Sequence, residues 1–221
     1  MCSSECWYKD VCDSYKEGCD RLCVQYKEMK FLMEHSNIPK NKQKPLILSP
    51  YQCDYEAFCR LEDIKNNIVE FVEEGRNLYI TSSVVGNGKT SWSLKLLMKY
   101  FEEVWDGNGY QPRGVIIHVP TFLAKCKDFK TTDYEFEELK RLVLDIDLVV
   151  WDDIAGVTMS NYDYSQLLVC LDAREFKGLA NIFTGNISDR DSLLNALGAK
   201  ITSRIWNNNT EVIEFFGGER R

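Results

Sequence analysis

The sequence lacks three features: long apolar runs, a secretory signal and an excess of basic residues. Its longest hydrophobic runs have only the length of a strand, so no segment is predicted to span a membrane. The N-terminus, MCSSECWYKD, has no apolar signal core, and we therefore expect a cytoplasmic protein. The formal net charge of −7 argues against a generally basic protein that coats nucleic acid, but it permits a local basic strip.

Internal repeats and low-complexity tracts are also absent from the sequence. The chain has 221 residues, of which 44% are hydrophobic, enough for one domain of ordinary size and a small appendage. After a predicted helix at 51–74, short apolar runs alternate with helical patterns, which predicts an α/β fold with a parallel sheet covered on both faces. The predicted strands are 78–82, 114–119, 146–151, 179–184 and 210–215, and the further helices are 88–104, 120–127, 134–144, 162–177 and 189–206.

The segment from Asn77 to Phe101 carries the most informative motif. A short apolar run precedes the loop SVVGNGKT and an amphipathic stretch, the order that a phosphate-binding loop requires. Backbone N–H groups of such a loop point at a phosphate, and the helix dipole favours its negative charge. We expect Lys89 to reach the β- and γ-phosphates of ATP and the Thr90 hydroxyl to bind Mg²⁺. The residues predicted to bind nucleotide in this loop are Ser83, Gly86, Asn87, Gly88, Lys89 and Thr90.

One loop position departs from the usual pattern, because Ser83 stands where a glycine is expected. Glycine adopts unusual φ/ψ angles at little cost, so a serine there is predicted to add about 1 kcal/mol of strain, which bound nucleotide can offset. The alternative is a glycine-rich turn that happens to precede a helix containing GKT. The order of strand, loop and helix favours nucleotide binding.

A second motif supplies carboxylates. The run DIDLVVWDDIAG, from Asp145 to Gly156, is an apolar strand that ends in two acidic residues. In a phosphate-loop ATPase we expect this strand beside the loop strand, with Asp152 holding Mg²⁺ through water and Asp153 orienting the attacking water. Taken alone, the acidic pair is also explained as a solvated strand end.

Two further segments offer polar groups. The strand LANIFTGNIS ends near Thr184 and Asn186, where a polar side chain can contact the γ-phosphate or the attacking water, although TGN alone is a turn signal. Downstream, Arg204 lies on a predicted helix, where the usual fate of an arginine is the solvated surface.

Together, the motifs GNGKT, VVWDD, FTGN, ITSRI and FFGGERR resemble those of the bacterial DnaC/DnaI helicase loaders, in the IstB/DnaC-like branch of the AAA+ ATPases. The resemblance covers residues 55–221 and implies the P-loop AAA+ (ASCE) fold, a five-stranded parallel sheet flanked by helices. It implies a bacterial or phage-encoded ATPase that assembles into a ring or helical array and loads a DnaB-type replicative helicase onto single-stranded DNA. It also implies that Asn186 is sensor 1 and that Arg204 is an arginine finger acting on ATP bound by the neighbouring subunit.

Two departures from the family pattern shape the expected activity. The family usually has glutamate where this chain has Asp153, which is one methylene shorter, so slow turnover is expected. The chain also ends soon after the last predicted strand, which predicts no helical lid and no sensor 2 arginine on such a lid. Arg220 or Arg221 can substitute only if the tail folds back.

Five of the nine cysteines fall within the first 23 residues, in a segment with too few aliphatic residues for a core of its own. A cytosolic protein keeps its thiols reduced, so a dense local cluster indicates metal rather than disulfides. Free thiols on a helical arm are the alternative. By resemblance, the segment is a helicase-binding module. The residues predicted to bind one Zn²⁺ are Cys6, Cys12, Cys19 and Cys23, with Cys2 or His35 as substitutes.

These features divide the chain into a cysteine-rich module (1–35), a polar linker expected to be solvated (36–50) and an AAA+ domain (51–221). In the last, Lys125, Lys127 and Lys130 form a strip that either meets phosphates of single-stranded DNA or is a solvated helix face. Two functions compete with helicase loading. One is an IstB-like transposition helper ATPase, which shares these motifs. The other is a zinc-dependent adaptor whose nucleotide site serves only as a switch.

Overall fold

The computed structural model describes residues 6, 9, 12, 15, 22–104, 110–128 and 133–219, and within them five strands form one parallel sheet in the order β2-β3-β4-β1-β5. The strands are β1 (Asn77–Thr81), β2 (Gly114–His118), β3 (Leu148–Asp152), β4 (Ala180–Gly185) and β5 (Thr210–Glu214). The helices are α1 (Val24–Glu34), α2 (Tyr55–Asn66), α3 (Ile68–Glu73), α4 (Lys89–Val104), α5 (Val119–Cys126), α6 (Tyr134–Val143), α7 (Asn161–Lys177) and α8 (Arg190–Ile205). The predicted α/β class and strand positions are confirmed. No helix in this described part of the chain is long and apolar enough to cross a membrane.

Alternate residues of the central strands face opposite layers of helices. On β1, Leu78 and Ile80 pack in one core cluster with residues of α1–α4, whereas Tyr79 packs in a second cluster with residues of α5–α8. The period of two follows from strand geometry, and the near-continuous apolar strands follow because both faces of the sheet are covered. Each fully buried apolar side chain of this size contributes about 1.5–3 kcal/mol, so the two clusters hold the strand ends in fixed positions.

The prediction that the strand ending in Asp152 lies beside the loop strand is wrong. β3 pairs with β2 and β4, and β4 lies between β3 and β1. A series of apolar strands predicts a parallel sheet but not the strand order, because each crossover helix can return the chain beside a near or a distant strand. As a consequence, Thr184 on β4 stands between the acidic residues and the phosphate loop.

The single helix predicted over residues 51–74 is two helices, α2 and α3. Asn67 separates them with φ −115° and ψ 30°, and its side-chain amide donates to the carbonyl oxygen of Asp63 at 3.0 Å. Such local side-chain bonds compete with helical hydrogen bonds. The helix predicted over 189–206 is likewise kinked, at Gly198 (φ 74°, ψ 163°).

Helix α1 and the segment after it pack on the sheet. The buried side chains of Met29, Leu32 and Ile38 belong to the same cluster as those of α4. The carbonyl oxygen of Ser36 accepts a hydrogen bond from the N–H of Ile116 at 2.9 Å, which covers part of the edge strand β2. Residues 36–50 are therefore not a fully solvated connector. The division of the chain at residues 35 and 50 stays a prediction.

Candidate nucleotide-binding site

The loop between β1 and α4 has the backbone that a phosphate-binding loop needs. Gly86 and Gly88 have φ angles of 79° and 103°, in a region that other residues rarely adopt, so glycine is required at both. Ser83 has no positive φ, so the strain expected there is absent and that prediction is wrong. The buried Ser82 hydroxyl accepts a hydrogen bond from the side-chain amide of Asn87, which ties the start of the loop to its end.

Lys89 begins α4 and is a buried cation without a direct anionic partner. Its Nζ donates to the carbonyl oxygen of Val84 at 3.0 Å and to Oδ1 of Asn87 at 3.3 Å, and it forms no ion pair within the described residues. Burial lowers the pKa of Lys89, while the nearby Asp153 and Asp152 partly oppose this shift. A buried ammonium that meets only neutral oxygens is well suited to a phosphate ligand.

Three side chains from three elements meet at the carboxyl edge of the sheet. Thr90 on α4 and Thr184 on β4 each donate a hydrogen bond to Oδ1 of Asp152 at 2.7 Å. The Thr184 hydroxyl also accepts a hydrogen bond from the N–H of Asp153 at 3.0 Å. Since Mg²⁺ takes hard oxygen ligands, the Thr90 hydroxyl and the Asp152 carboxylate fit the predicted metal.

Asp153 has an unusual backbone conformation. Its φ of 58° lies in the left-handed region, which aspartate tolerates better than most residues because its short polar side chain bonds locally. A Cβ atom at Gly156 would lie 2.0 Å from Oδ2 of Asp153, so the glycine leaves room for this carboxylate. The turn thus places Asp153 beside the Thr90–Asp152 pair at the end of β3.

Most of the residues predicted to bind nucleotide line one cleft. Its volume of about 620 Å³ is large enough for a nucleotide. Exposed Ser83 belongs to the loop but not to the cleft lining, and Arg204 does not line it either. The predicted residues that do line the cleft are Gly86, Asn87, Gly88, Lys89, Thr90, Asp152, Asp153 and Asn186.

One wall of the cleft was missed by sequence reasoning. Ile47, Leu48 and Ser49, from the predicted linker, line the cleft together with Phe58 of α2. A polar, proline-containing stretch carries no periodicity that would reveal such a role. His118 also lines the cleft, and it could have been found, because it ends β2 and the carboxyl ends of parallel strands meet at one edge.

Arg204 lies toward the amino ends of the strands, opposite to the cleft. Its carbonyl oxygen accepts a hydrogen bond from the side-chain amide of Asn77, the first residue of β1, whereas the phosphate loop follows the last residue of that strand. Its Nε lies 2.8 Å from Oδ1 of Asp172 and 2.7 Å from Oε2 of Glu175, both on α7. The structure therefore does not bring Arg204 together with the nucleotide residues of its own chain.

The predicted lysine strip is partly neutralised. Lys125 pairs with Asp133 at 3.2 Å, and Lys127 pairs with the buried carboxylate of Asp163 at 2.7 Å. Lys130 lies outside the described residues. These ion pairs reduce the positive charge that the two described lysines offer to DNA.

The C-terminal tail folds back toward the start of α2. The N–H groups of Phe216 and Gly217 donate to the buried carboxylate of Asp54, and the Tyr51 hydroxyl donates to the carbonyl oxygen of Glu219. This path holds the tail against Tyr51 and Asp54, at the start of α2. Arg220 and Arg221, the proposed substitutes for a sensor 2 arginine, lie outside the described residues.

Three of the four predicted zinc ligands lie among the described residues. Cys6, Cys12 and Cys23 are free thiols of intermediate exposure, while Cys19 and Cys2 lie outside the described residues. Among the residues that are described, no group of three or more potential ligands can hold a metal ion. The zinc site remains a prediction without structural support.

Solved structures share this fold. The chain is similar to a DnaC helicase loader, with a TM-score of 0.62 and 18% identity over 77% of this chain and 94% of that one. A putative primosome component from Streptococcus pyogenes serotype M3 has a TM-score of 0.64 and 21% identity, over 86% of this chain and 98% of that one. For AMPPCP-bound DnaA from Aquifex aeolicus the TM-score is 0.58 and the identity 14%, over 78% of this chain and 50% of that one. No protein-family model and no curated protein matches the chain in sequence. The likeness confirms that the chain resembles helicase loaders in structure and shares their fold, the predicted five-stranded parallel sheet flanked by helices. At these identities it establishes fold rather than activity.

Proposed function

We propose that this chain is a slow ATPase that acts as assembled subunits and loads a DnaB-type replicative helicase onto single-stranded DNA at the start of replication, in the bacterial cytoplasm. One observation carries the proposal: the cleft lies at the carboxyl ends of the strands, whereas Arg204 lies toward their amino ends. The fold shared with a DnaC helicase loader supports the choice of process.

Each cleft residue has a role in this proposal. Lys89 contacts the β- and γ-phosphates, whose charge replaces the neutral oxygens that its ammonium now meets. Thr90 and Asp152 hold Mg²⁺, which offsets phosphate charge when bound. Asp153 orients the attacking water, and Asn186 contacts that water or the γ-phosphate.

Arg204 serves the ATP bound by a neighbouring subunit. The five residues of β1 separate its anchor at Asn77 from the phosphate loop, about 16 Å of strand, which exceeds the reach of an arginine side chain. In this proposal a second copy supplies the guanidinium. Stabilising transition-state charge in this way is worth on the order of 10³-fold in related phosphoryl transfer, so turnover depends on assembly.

A mixing experiment tests the exchange of Arg204 between subunits. Lys89→Ala protein lacks a working cleft and Arg204→Ala protein lacks the arginine, so each alone is expected to keep only a small residual turnover at every concentration. Their mixture is expected to regain part of the wild-type turnover, because one interface then pairs an intact cleft with an intact arginine.

The matched control is Arg190→Ala, which removes an exposed arginine from the other end of α8. It should keep wild-type turnover. No recovery in the mixture, with mixed assembly shown by cross-linking, would contradict the proposal. Tight ATP binding by wild-type protein without any turnover would favour the adaptor function instead.

The helicase contact is assigned to the cysteine-rich N-terminal region, and single-stranded DNA to the surface near Lys125, Lys127 and Lys130. Because Met29 and Leu32 of α1 are part of the core, a deletion should end before Val24 to leave the fold intact. This deletion is expected to abolish capture of a DnaB-type helicase while ATP binding persists. Capture that survives the deletion would place the contact elsewhere.

Zinc binding is part of the same proposal. Metal analysis of protein purified without chelator should give close to one zinc per chain for four thiolate ligands, and Cys23→Ser should lose it. Cys170→Ser is the control, since Cys170 is buried on α7 far along the chain. Metal-free wild-type protein would remove zinc from the proposal.

A further inference from the structure

Both acidic partners of Arg204 contact the same guanidinium nitrogen. The nitrogen that meets both Asp172 and Glu175 is Nε, at 2.8 and 2.7 Å. Nη1 donates to the Ser203 hydroxyl at 3.1 Å, and Nη2 makes no hydrogen bond within the described residues. The two carboxylates therefore restrain the side chain without using the donors at its far end.

Both sides of this contact lie on well-anchored elements. α7 begins with a capping box formed by Ser160 and Asp163 and ends at Gly178 in a left-handed conformation. The spacing of three residues puts Asp172 and Glu175 on one face of this helix. On α8, buried Ile201 and Ile205 flank Arg204.

The carboxylates also carry negative charge, which disfavours an approach to phosphate. Their side chains are 48% and 46% exposed, so water and salt screen this charge strongly. The restraint on side-chain rotation does not depend on long-range charge. Since an arginine loses much rotamer freedom when it binds, fixing it beforehand is the larger effect.

We propose that Asp172 and Glu175 are positioning residues for Arg204: they grip Nε and present Nη2 to the nucleotide bound by a second copy of this chain. The inference rests on the proposed function, in which Arg204 acts between subunits. The same face of α7 leaves Phe176 92% exposed, so a second copy that docks there also covers an apolar side chain.

The test variant is Asp172→Asn with Glu175→Gln, which keeps the side-chain shapes and removes the charge-assisted contacts. Turnover at assembling protein concentrations is expected to fall about tenfold in kcat, because the arginine must then be ordered during the reaction. KM for ATP is expected to stay unchanged, since the cleft of the same chain is untouched. The control, Glu135→Gln with Glu138→Gln, removes the same charge from exposed positions on α6 and should behave as wild type.

A double-mutant cycle separates positioning from a structural role. In an Arg204→Ala background the Asp172→Asn, Glu175→Gln change should have no further effect on turnover. Unchanged or increased kcat in the wild-type background would overturn the inference, and so would a further loss in the Arg204→Ala background. If Arg204→Ala itself leaves turnover intact, both the proposed function and this inference fail. If Arg204→Ala loses turnover while the carboxylate variant keeps the wild-type kcat, only this inference fails.

Discussion

Thr184 offers a sharp test of how the site is built, because one buried hydroxyl serves both acidic residues. It donates to Oδ1 of Asp152 at 2.7 Å and accepts the N–H of Asp153 at 3.0 Å. Valine has nearly the same shape, so Thr184→Val removes these two bonds and little else. An unpaired buried N–H costs about 1–3 kcal/mol.

We expect Thr184→Val to lower the free energy of unfolding by about 2 kcal/mol, since a hydrogen bond to a charged group is also lost. For a chain of this size, such a change lowers the melting temperature by about 4–8 °C. Asp152 also loses a group that orients it toward the metal. Loss of an outer partner of this kind weakens metal binding by about tenfold to a hundredfold, so the Mg²⁺ concentration needed for ATP binding should rise.

The assay combines thermal unfolding with nucleotide binding titrated against Mg²⁺. Thr184→Ser retains the hydroxyl and should keep the wild-type Mg²⁺ dependence. Thr202→Val is the second control, because Thr202 is buried and donates to the carbonyl oxygen of Leu193 on α8, away from the acidic residues. It should lose stability without any change in Mg²⁺ dependence. A wild-type Mg²⁺ dependence in Thr184→Val would refute the reasoning.

Two further predictions concern the cleft. Burial lowers the pKa of Lys89 and a bound triphosphate raises it, so the complex holds this proton more tightly than the free protein does. ATP affinity should therefore stay constant near neutral pH and fall as pH rises above the pKa of Lys89 in the nucleotide-free protein. This dependence should be absent in Lys89→Ala, and an affinity unaffected by alkaline pH would contradict it. Asp153→Asn keeps a residue that tolerates a φ of 58°, so fold and ATP binding should persist while turnover falls by at least about 10²-fold. Near-normal turnover in that variant would exclude Asp153 as the residue that orients water.

The sequence predicts those parts of the fold and the site that depend on residues close together in the chain. Lys89 and Thr90 follow glycines that a loop requires, and Asp152 ends an apolar strand, so their chemistry is readable from neighbours in the chain. The strand order was not readable in this way, because β4 enters between β1 and β3 only through long crossovers. The role of Thr184 depends on that order, and local patterns cannot show which strand ends become neighbours.

The 36–50 segment shows a second limit of local patterns. Its lysines and prolines indicate a solvated connector, yet Ile38 is buried in the core and Leu48 lines the cleft. Isolated apolar residues in a polar stretch have no period, so nothing distinguishes those that pack from those that stay exposed. Both Ile47 and Leu48 line the cleft, but Ile47 is 94% exposed whereas Leu48 packs against the core cluster.

The placement of Arg204 also constrains how copies of this chain associate. In a twofold dimer residue i of one copy meets residue j of the other and j meets i, so a single patch would have to contain both the cleft and Arg204, which lie toward opposite ends of the strands. The proposed exchange of Arg204 is met more simply by a head-to-tail contact, in which two different surfaces pair. Contacts of that type either close into a ring or continue as a helix. An open array leaves one cleft at its end without a neighbour's Arg204, whereas a closed ring completes every site. The position of a single arginine in the fold thus bears on the assembly in which we propose that the chain hydrolyses ATP.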